Sequence, residues 1–128
     1  MTRHAQHHPE HPTIVVVDDD TDLRETLGEL LVDEGYDARL FENGRAALDF
    51  LRHADGDPQL ILLDLMMPEM NGWQFREEQL KDDRLRDIPV VVMTASRSVE
   101  GAALTASEVL YKPIGLGELI EAVERNAR

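Results

Sequence analysis

The sequence contains no cysteine, few aromatic residues and half as many basic as acidic residues, 13 lysines and arginines against 26 aspartates and glutamates. Without cysteine the chain has no disulfides, thiol nucleophiles or thiolate metal sites, so its chemistry must come from oxygen ligands, lysine or histidine. Oxygen ligands favour a hard cation over a soft one.

The formal net charge of −13 limits the possible partners. A field of this sign repels phosphate backbones and anionic lipid headgroups, so we expect no direct binding to nucleic acid or to a membrane. The longest apolar runs, at residues 60–63 and 90–93, are much shorter than a membrane span, and the N-terminus lacks the apolar core of a signal peptide. The sequence therefore predicts a cytoplasmic protein.

The chain length of 128 residues predicts one domain with its own core. Residues 1–12 carry four of the five histidines and two prolines without hydrophobic periodicity, which predicts a disordered leader before a domain at 13–128. The alternative for the leader is metal binding by its histidines, which are His4, His7, His8 and His11.

Short apolar runs alternate with helical patterns from Thr13 onward, as is typical of βα units on a parallel sheet. The runs at 14–17, 60–63 and 90–93 are apolar at every position, as expected for central strands covered on both faces. Weaker strands are predicted at 37–41 and 109–111.

Five helices are predicted between and after these strands. Two of them carry apolar residues at helical spacing, one with Leu23, Leu27, Leu30 and Leu31, the other with Leu116, Leu119, Ile120 and Val123. The remaining three are predicted near 45–52, 72–81 and 99–105, the last weakened by Gly101.

Polar residues follow the predicted strands at their carboxyl ends. Asp18 and Asp19 follow the first strand, and Asp64, Thr94 and Lys112 stand at the ends of the third, fourth and fifth. In an open parallel sheet these ends border the crevice where ligands bind. We therefore expect the five side chains to converge on one site.

This set of residues suits phosphoryl transfer with a bound cation. Three close carboxylates repel one another unless a cation is present, and Mg²⁺ needs only one or two carboxylates together with a phosphate oxygen. The charge of Lys112 and the hydroxyl of Thr94 can hold the oxygens of a phosphoryl group during transfer. Asp64 is the candidate nucleophile.

Four motifs, in the order VVVDDDTDLRETL, LILLDLMMPEMNGW, PVVVMTA and LYKP, resemble the response-regulator receiver family of two-component signalling. The resemblance implies a three-layer flavodoxin-like (βα)5 fold, α/β in class, whose five parallel strands lie in the order 2-1-3-4-5. It implies that Asp64 accepts the phosphoryl group, that Asp19 binds Mg²⁺ directly and Asp18 through water, and that the backbone carbonyl of Met66 is a further ligand.

The resemblance also implies the partners. The phosphoryl group would come from a phosphohistidine on a sensor histidine kinase or histidine phosphotransfer protein, and the signal would pass to a downstream protein of unknown identity. The domain would be a signalling switch and not an enzyme, assisting only its own phosphorylation and dephosphorylation. The Lys112–Pro113 bond resembles the cis peptide of the family.

Several neighbouring residues are predicted to be structural. Asp20 is expected to be a solvent-facing loop residue or a helix cap. Pro68, Asn71 and Gly72 are expected to shape the loop after Asp64. Trp73 is expected to be a partly buried packing residue.

The sequence departs from the family pattern near its fifth strand. Thr94 and Lys112 are 18 residues apart, about one helical turn fewer than usual, so the fourth predicted helix should be short or irregular. The switch position, usually aromatic, is Val109. Tyr111 lies two positions later on the same strand face and could supply the aromatic surface for readout together with Thr94. Met66 and Ser96 should flank the phosphoryl group.

Two alternative functions remain. Asp18 and Asp20 superficially fit the first motif of haloacid-dehalogenase-like phosphatases, but no acidic pair follows Lys112 and no cap segment is present to hold a substrate. The other alternative is a phosphorylation-independent protein-binding module that signals through segments 99–105 and 109–111 and the C-terminal helix.

Overall fold

The computed structural model describes residues 12–67, 69–95 and 106–127. Five parallel strands form one sheet in the order β2-β1-β3-β4-β5, which confirms the predicted flavodoxin-like topology. The strands are β1 Thr13–Val17, β2 Asp37–Phe41, β3 Leu60–Asp64, β4 Val90–Thr94 and β5 Glu108–Tyr111.

Four helices occur in the described part of the chain. They are α1 Thr21–Asp33, α2 Gly44–His53, α3 Gly72–Lys81 and α4 Leu116–Asn126. The helix predicted at 99–105 and most of the leader predicted at 1–12 fall outside the described residues. None of these four helices has the length and apolar character needed to cross a membrane.

The three central strands are buried along their whole length because helices cover both faces of the sheet. Alternate side chains of each strand therefore enter two separate cores. Val15 and Val17 pack with α2 and α3 on one face. Ile14 and Val16 pack with α1 on the other, which α4 also covers.

The apolar stripes of α1 and α4 lie against the second core. Leu27 and Leu31 of α1 and Leu119 and Val123 of α4 are fully buried there, and each such side chain contributes roughly 1.5–3 kcal/mol of burial free energy. Leu116 was predicted to share this stripe, but it is 46% exposed. It is the first residue of α4, which follows the edge strand β5 after a short connection.

A buried polar side chain organises the connection between α3 and β4. The amide nitrogen of Gln79 donates hydrogen bonds to the carbonyl oxygens of Leu85 at 2.8 Å and Ile88 at 3.1 Å. Its amide oxygen accepts one from Arg76 at 2.6 Å. The Leu85 carbonyl also accepts the backbone N–H of Ile88 at 3.1 Å, so the Gln79 bonds add a tie between α3 and the connection that leads into β4.

Candidate functional site

Asp18 follows β1 and is held at several of its atoms. Its backbone nitrogen donates to the carbonyl of Phe41 at 3.1 Å, and its Oδ1 accepts from the backbone nitrogen of Asp20 at 2.9 Å. The side chain is fully buried, whereas Asp19, the next residue, is exposed. The turn after β1 therefore presents one buried and one exposed carboxylate side by side.

Asp20 ends this turn and begins α1. Its carboxylate accepts a hydrogen bond from the backbone nitrogen of Leu23 at 3.2 Å, which makes it the N-cap of the helix. The prediction that Asp20 is a helix cap is confirmed.

Asp64 is the last residue of β3 and is only 3% exposed. Its Oδ1 accepts a hydrogen bond from the backbone nitrogen of Met66 at 3.2 Å. Within the described residues no hydrogen bond to its Oδ2 is found. The side chain of Met66 is 59% exposed.

The loop after Asp64 is shaped by Asn71 and Gly72, as predicted. Asn71 caps α3 in a capping box with Gln74. A Cβ on Gly72 would lie 2.8 Å from the Cα of Leu65 and 3.0 Å from the carbonyl oxygen of Asp64. Only glycine lets α3 begin this close to the end of β3. Pro68 lies outside the described residues.

The carboxylates of Asp18, Asp19 and Asp64 converge as predicted, with one oxygen from each lying within 4.8 Å of the others. Burial, followed by the negative charge of Asp18, raises the pKa of Asp64 from 3.8 to about 7. Lys112 and the Met66 N–H oppose this rise without cancelling it. Without a bound cation, the site thus resists full ionisation.

Lys112 comes directly after β5 and extends into this cluster. Its Nζ lies 2.9 Å from Oδ2 of Asp18 and 3.6 Å from Oδ1 of Asp64. Burial lowers the pKa of Lys112, but the hydrogen bond and charge of Asp18, together with Asp64, raise it by more than burial lowers it. The net shift of this pKa is therefore upward. The ammonium group is therefore charged and bridges two carboxylates. The Lys112–Pro113 bond is cis, as predicted.

Thr94 is fully buried at the end of β4. The preceding residue, Met93, pairs with Asp64, and the Thr94 carbonyl accepts the backbone N–H of Lys112 at 2.8 Å. Thr94 therefore lies between the strand ends that carry these two residues. Tyr111 pairs with Thr94 across β4 and β5, and both Tyr111 and Val109 are partly buried. Their part in readout stays a prediction.

The donor set fits a hard divalent cation. Three carboxylates supply oxygen ligands at one edge of the sheet, and that of Asp19 is exposed to solvent. The repulsion that raises the pKa of Asp64 is relieved when a cation binds. The acidic pocket can therefore hold a metal ion.

Two contacts of this site were missing from the sequence interpretation. Lys112 lies closer to Asp18 than to Asp64. Arg24 of α1 donates a 2.7 Å hydrogen bond to the backbone carbonyl of Asp18. The sequence held one signal for the Arg24 contact. A basic residue near the N-terminus of a helix is opposed by the helix dipole, so it needs an acceptor nearby.

The fold and the site together define a class of protein: a doubly wound α/β domain with an acidic pocket and a lysine at the carboxyl ends of its parallel strands. The model of the response regulator receiver domain matches residues 14–124, so the chain belongs to that family, whose members are the receiver domains of two-component response regulators.

Named relatives agree with this assignment. The chain is 38% identical over 112 residues to the response regulator MprA of Mycolicibacterium vanbaalenii, covering 84% of this chain and 46% of that protein. It is 34% identical over 119 residues to the response regulator Rre1 of Synechocystis, covering 89% and 50%. The chain thus spans about half the length of the curated relatives it matches.

The fold also agrees with a solved structure. The chemotaxis protein CheY4 of Vibrio cholerae superposes with a TM-score of 0.83 at 27% identity, covering 91% of this chain and 98% of that one. The similarity therefore extends over nearly the whole domain.

Proposed function

We propose that this chain is a phospho-accepting switch in which Asp64 receives a phosphoryl group in a Mg²⁺-dependent reaction. The observation that carries the proposal is the buried Asp64 carboxylate, which shares one edge of the sheet with the carboxylates of Asp18 and Asp19 and the ammonium group of Lys112. The donor would be a phosphohistidine on a sensor kinase or histidine phosphotransfer protein in the cytoplasm.

The two carboxylate oxygens of Asp64 have different parts in the proposed transfer. Oδ1 is held by the Met66 N–H, while Oδ2 attacks phosphorus and forms the new O–P bond. The N–P bond of the phosphohistidine breaks, its electron pair returns to the imidazole nitrogen, and that nitrogen takes a proton from solvent. The product is an aspartyl phosphate and a neutral histidine.

The neighbouring residues position the phosphoryl group and balance its charge. Lys112 lies 3.6 Å from Oδ1 of Asp64 and can move onto a phosphoryl oxygen. Thr94 stands at the adjacent strand end and supplies a hydroxyl. Asp18, Asp19 and Asp64, with the Met66 carbonyl, would hold Mg²⁺, which supplies positive charge against the carboxylate and phosphoryl oxygens.

Incubation with Mg²⁺ and a small phosphodonor such as phosphoramidate tests this proposal. Intact-mass spectrometry should show one added phosphoryl group, and peptide mapping should locate it on Asp64. Asp64→Asn should abolish uptake, whereas Asp49→Asn, an exposed aspartate on α2, should not. Chelation by EDTA should prevent uptake in the wild-type protein.

Two results would contradict the proposal. Lack of phosphate uptake in folded, Mg²⁺-bound protein would favour the phosphorylation-independent binding module. Rapid turnover of unrelated phosphoesters would show an enzyme in place of a signalling domain that acts only on its own phosphate.

A further inference from the structure

Arg24 contacts the acidic pocket through the backbone of Asp18, not through its carboxylate. Its Nη1 lies 2.7 Å from the carbonyl oxygen of Asp18, and its Nη2 lies 3.5 Å from the hydroxyl of Thr21. The first of these distances is short and typical of a hydrogen bond from a charged donor. The guanidinium group therefore ties the end of β1 to the first turns of α1.

The contacts of Asp18 divide into two kinds. Lys112 and the Asp20 N–H bond its carboxylate oxygens, which are also the oxygens a cation would approach. Arg24 and the Phe41 carbonyl bond its backbone, on atoms that no cation in the pocket needs. The hold that Arg24 has on this turn is thus compatible with an occupied metal site.

The same turn also carries Asp19. This exposed residue lies between Asp18, whose carbonyl is fixed by Arg24, and Asp20, whose nitrogen is fixed by Asp18. Fixing the peptide groups on both sides limits the positions that the Asp19 carboxylate can take. A ligand held in place before binding loses less conformational freedom when the ion binds.

We propose that Arg24 is a positioning residue of the acidic site, whose bond to the Asp18 carbonyl holds the Asp18 and Asp19 carboxylates where a divalent cation can bind between them and Asp64. The proposal rests on the Mg²⁺ dependence proposed above. It goes beyond that function by assigning the preformed shape of the metal site to a residue that touches neither metal nor phosphate.

The Mg²⁺ affinity of Arg24 variants distinguishes an effect of its hydrogen bond from an effect of its charge. A guanidinium group near the pocket repels Mg²⁺, so removal of its charge alone would tighten binding. Removal of the bond to the carbonyl frees the turn and weakens binding. The two explanations therefore predict changes of opposite sign.

Isothermal titration of the metal-free chain with MgCl₂ tests this inference. Arg24→Met keeps the apolar stem but loses the donor, and we expect about tenfold weaker Mg²⁺ binding, the size of one charge-assisted hydrogen bond. Arg24→Lys keeps a charged donor and should restore most of the affinity. Arg86→Met removes an exposed charge from the connection before β4, at the other end of the sheet, and should bind like wild type.

Urea unfolding of each metal-free variant shows whether the variant folds and measures its free energy of unfolding. If Arg24→Met does not fold, Arg24→Gln makes the same comparison, because its shorter amide does not reach the carbonyl.

Equal or tighter Mg²⁺ binding by folded Arg24→Met or Arg24→Gln overturns the inference. Reduced stability with unchanged Mg²⁺ affinity also overturns it, since the role would then be structural only. If the wild-type protein itself binds no Mg²⁺, the proposed Mg²⁺-dependent function fails as well, so the two failures are distinguishable.

Discussion

Replacement of Asp64 by asparagine should stabilise the metal-free protein, and the gain should depend on pH. Burial and Asp18 raise the pKa of Asp64 to about 7 in the folded state, against 3.8 for the ordinary carboxyl group. Because the folded protein holds this proton more tightly than the unfolded chain does, wild-type stability is fully present below about pH 4 and falls as the pH rises to about 7.

The size of this loss follows from the difference between the two pKa values. A difference of one pKa unit corresponds to about 1.4 kcal/mol, so the full shift corresponds to about 4 kcal/mol. The charges around Asp64 interact with one another, which spreads part of the effect over the cluster, so we expect roughly 2–4 kcal/mol. Asparagine has nearly the same shape and can still accept the Met66 N–H, so the variant should avoid most of this cost.

Urea unfolding in EDTA, followed by circular dichroism at about pH 4.5 and about pH 8, measures the effect. Asp64→Asn should be clearly more stable than wild type at the higher pH and nearly equal to it at the lower pH. Asp49→Asn serves as the control on an exposed helix position and should follow the wild-type curve. A variant that is destabilised at high pH, or equally shifted at both pH values, would refute this electrostatic reasoning.

Asp18→Asn should behave in the opposite way. Asp18 is the nearer partner of Lys112, at 2.9 Å compared with 3.6 Å for Asp64. Its loss leaves a largely buried ammonium group with the weaker contact, so stability should fall at high pH. Two neighbouring carboxylates of the same site thus give changes of different sign in the same assay.

Three further predictions concern the surroundings of Asp64. Asp19→Asn should raise the melting temperature without metal, because repulsion is relieved, and should reduce the upward shift caused by Mg²⁺; an unaltered Mg²⁺ response would contradict its ligand role. Gly72→Ala should lower the free energy of unfolding in urea by about 1–3 kcal/mol, because its Cβ would lie 2.6 Å from a methyl group of Leu65. The control is Gly117→Ala in α4, whose Cβ would have no neighbour within 4 Å, so this change should be neutral or slightly stabilising. Glu69 has a φ of 66°, so Glu69→Asn, which tolerates this conformation better, should stabilise the fold by about 0.5–1 kcal/mol; an unchanged or lower midpoint would argue against strain there.

The sheet was predictable because its central strands carry an unbroken apolar pattern. Residues 14–17, 60–63 and 90–93 can be buried on both faces only in a covered parallel sheet, and the polar residues that follow mark its carboxyl edge. The convergence of Asp18, Asp19 and Asp64 followed from this one inference. Their chemical roles rest on the family resemblance and on the experiments above.

Contacts within the site were less predictable because they depend on distances of a few tenths of an ångström. Position along the chain places Lys112 beside the pocket, but it does not decide between Asp18 and Asp64 as its closer partner. Gln79 and Arg24 were missed for a related reason. Each bonds a backbone carbonyl, and sequence patterns of side chains carry no record of which carbonyl groups accept a side-chain donor.

The ion pair between Asp18 and Lys112 joins positions 94 residues apart. A nascent chain emerging from the ribosome displays Asp18 and Asp64 before Lys112, which contacts both carboxylates, has been translated. Until β5 docks on β4, the growing polypeptide has both carboxylates but not the ammonium group that contacts them. A truncated translation product lacking that strand would therefore keep the crowded carboxylates without the positive charge that lies beside two of them.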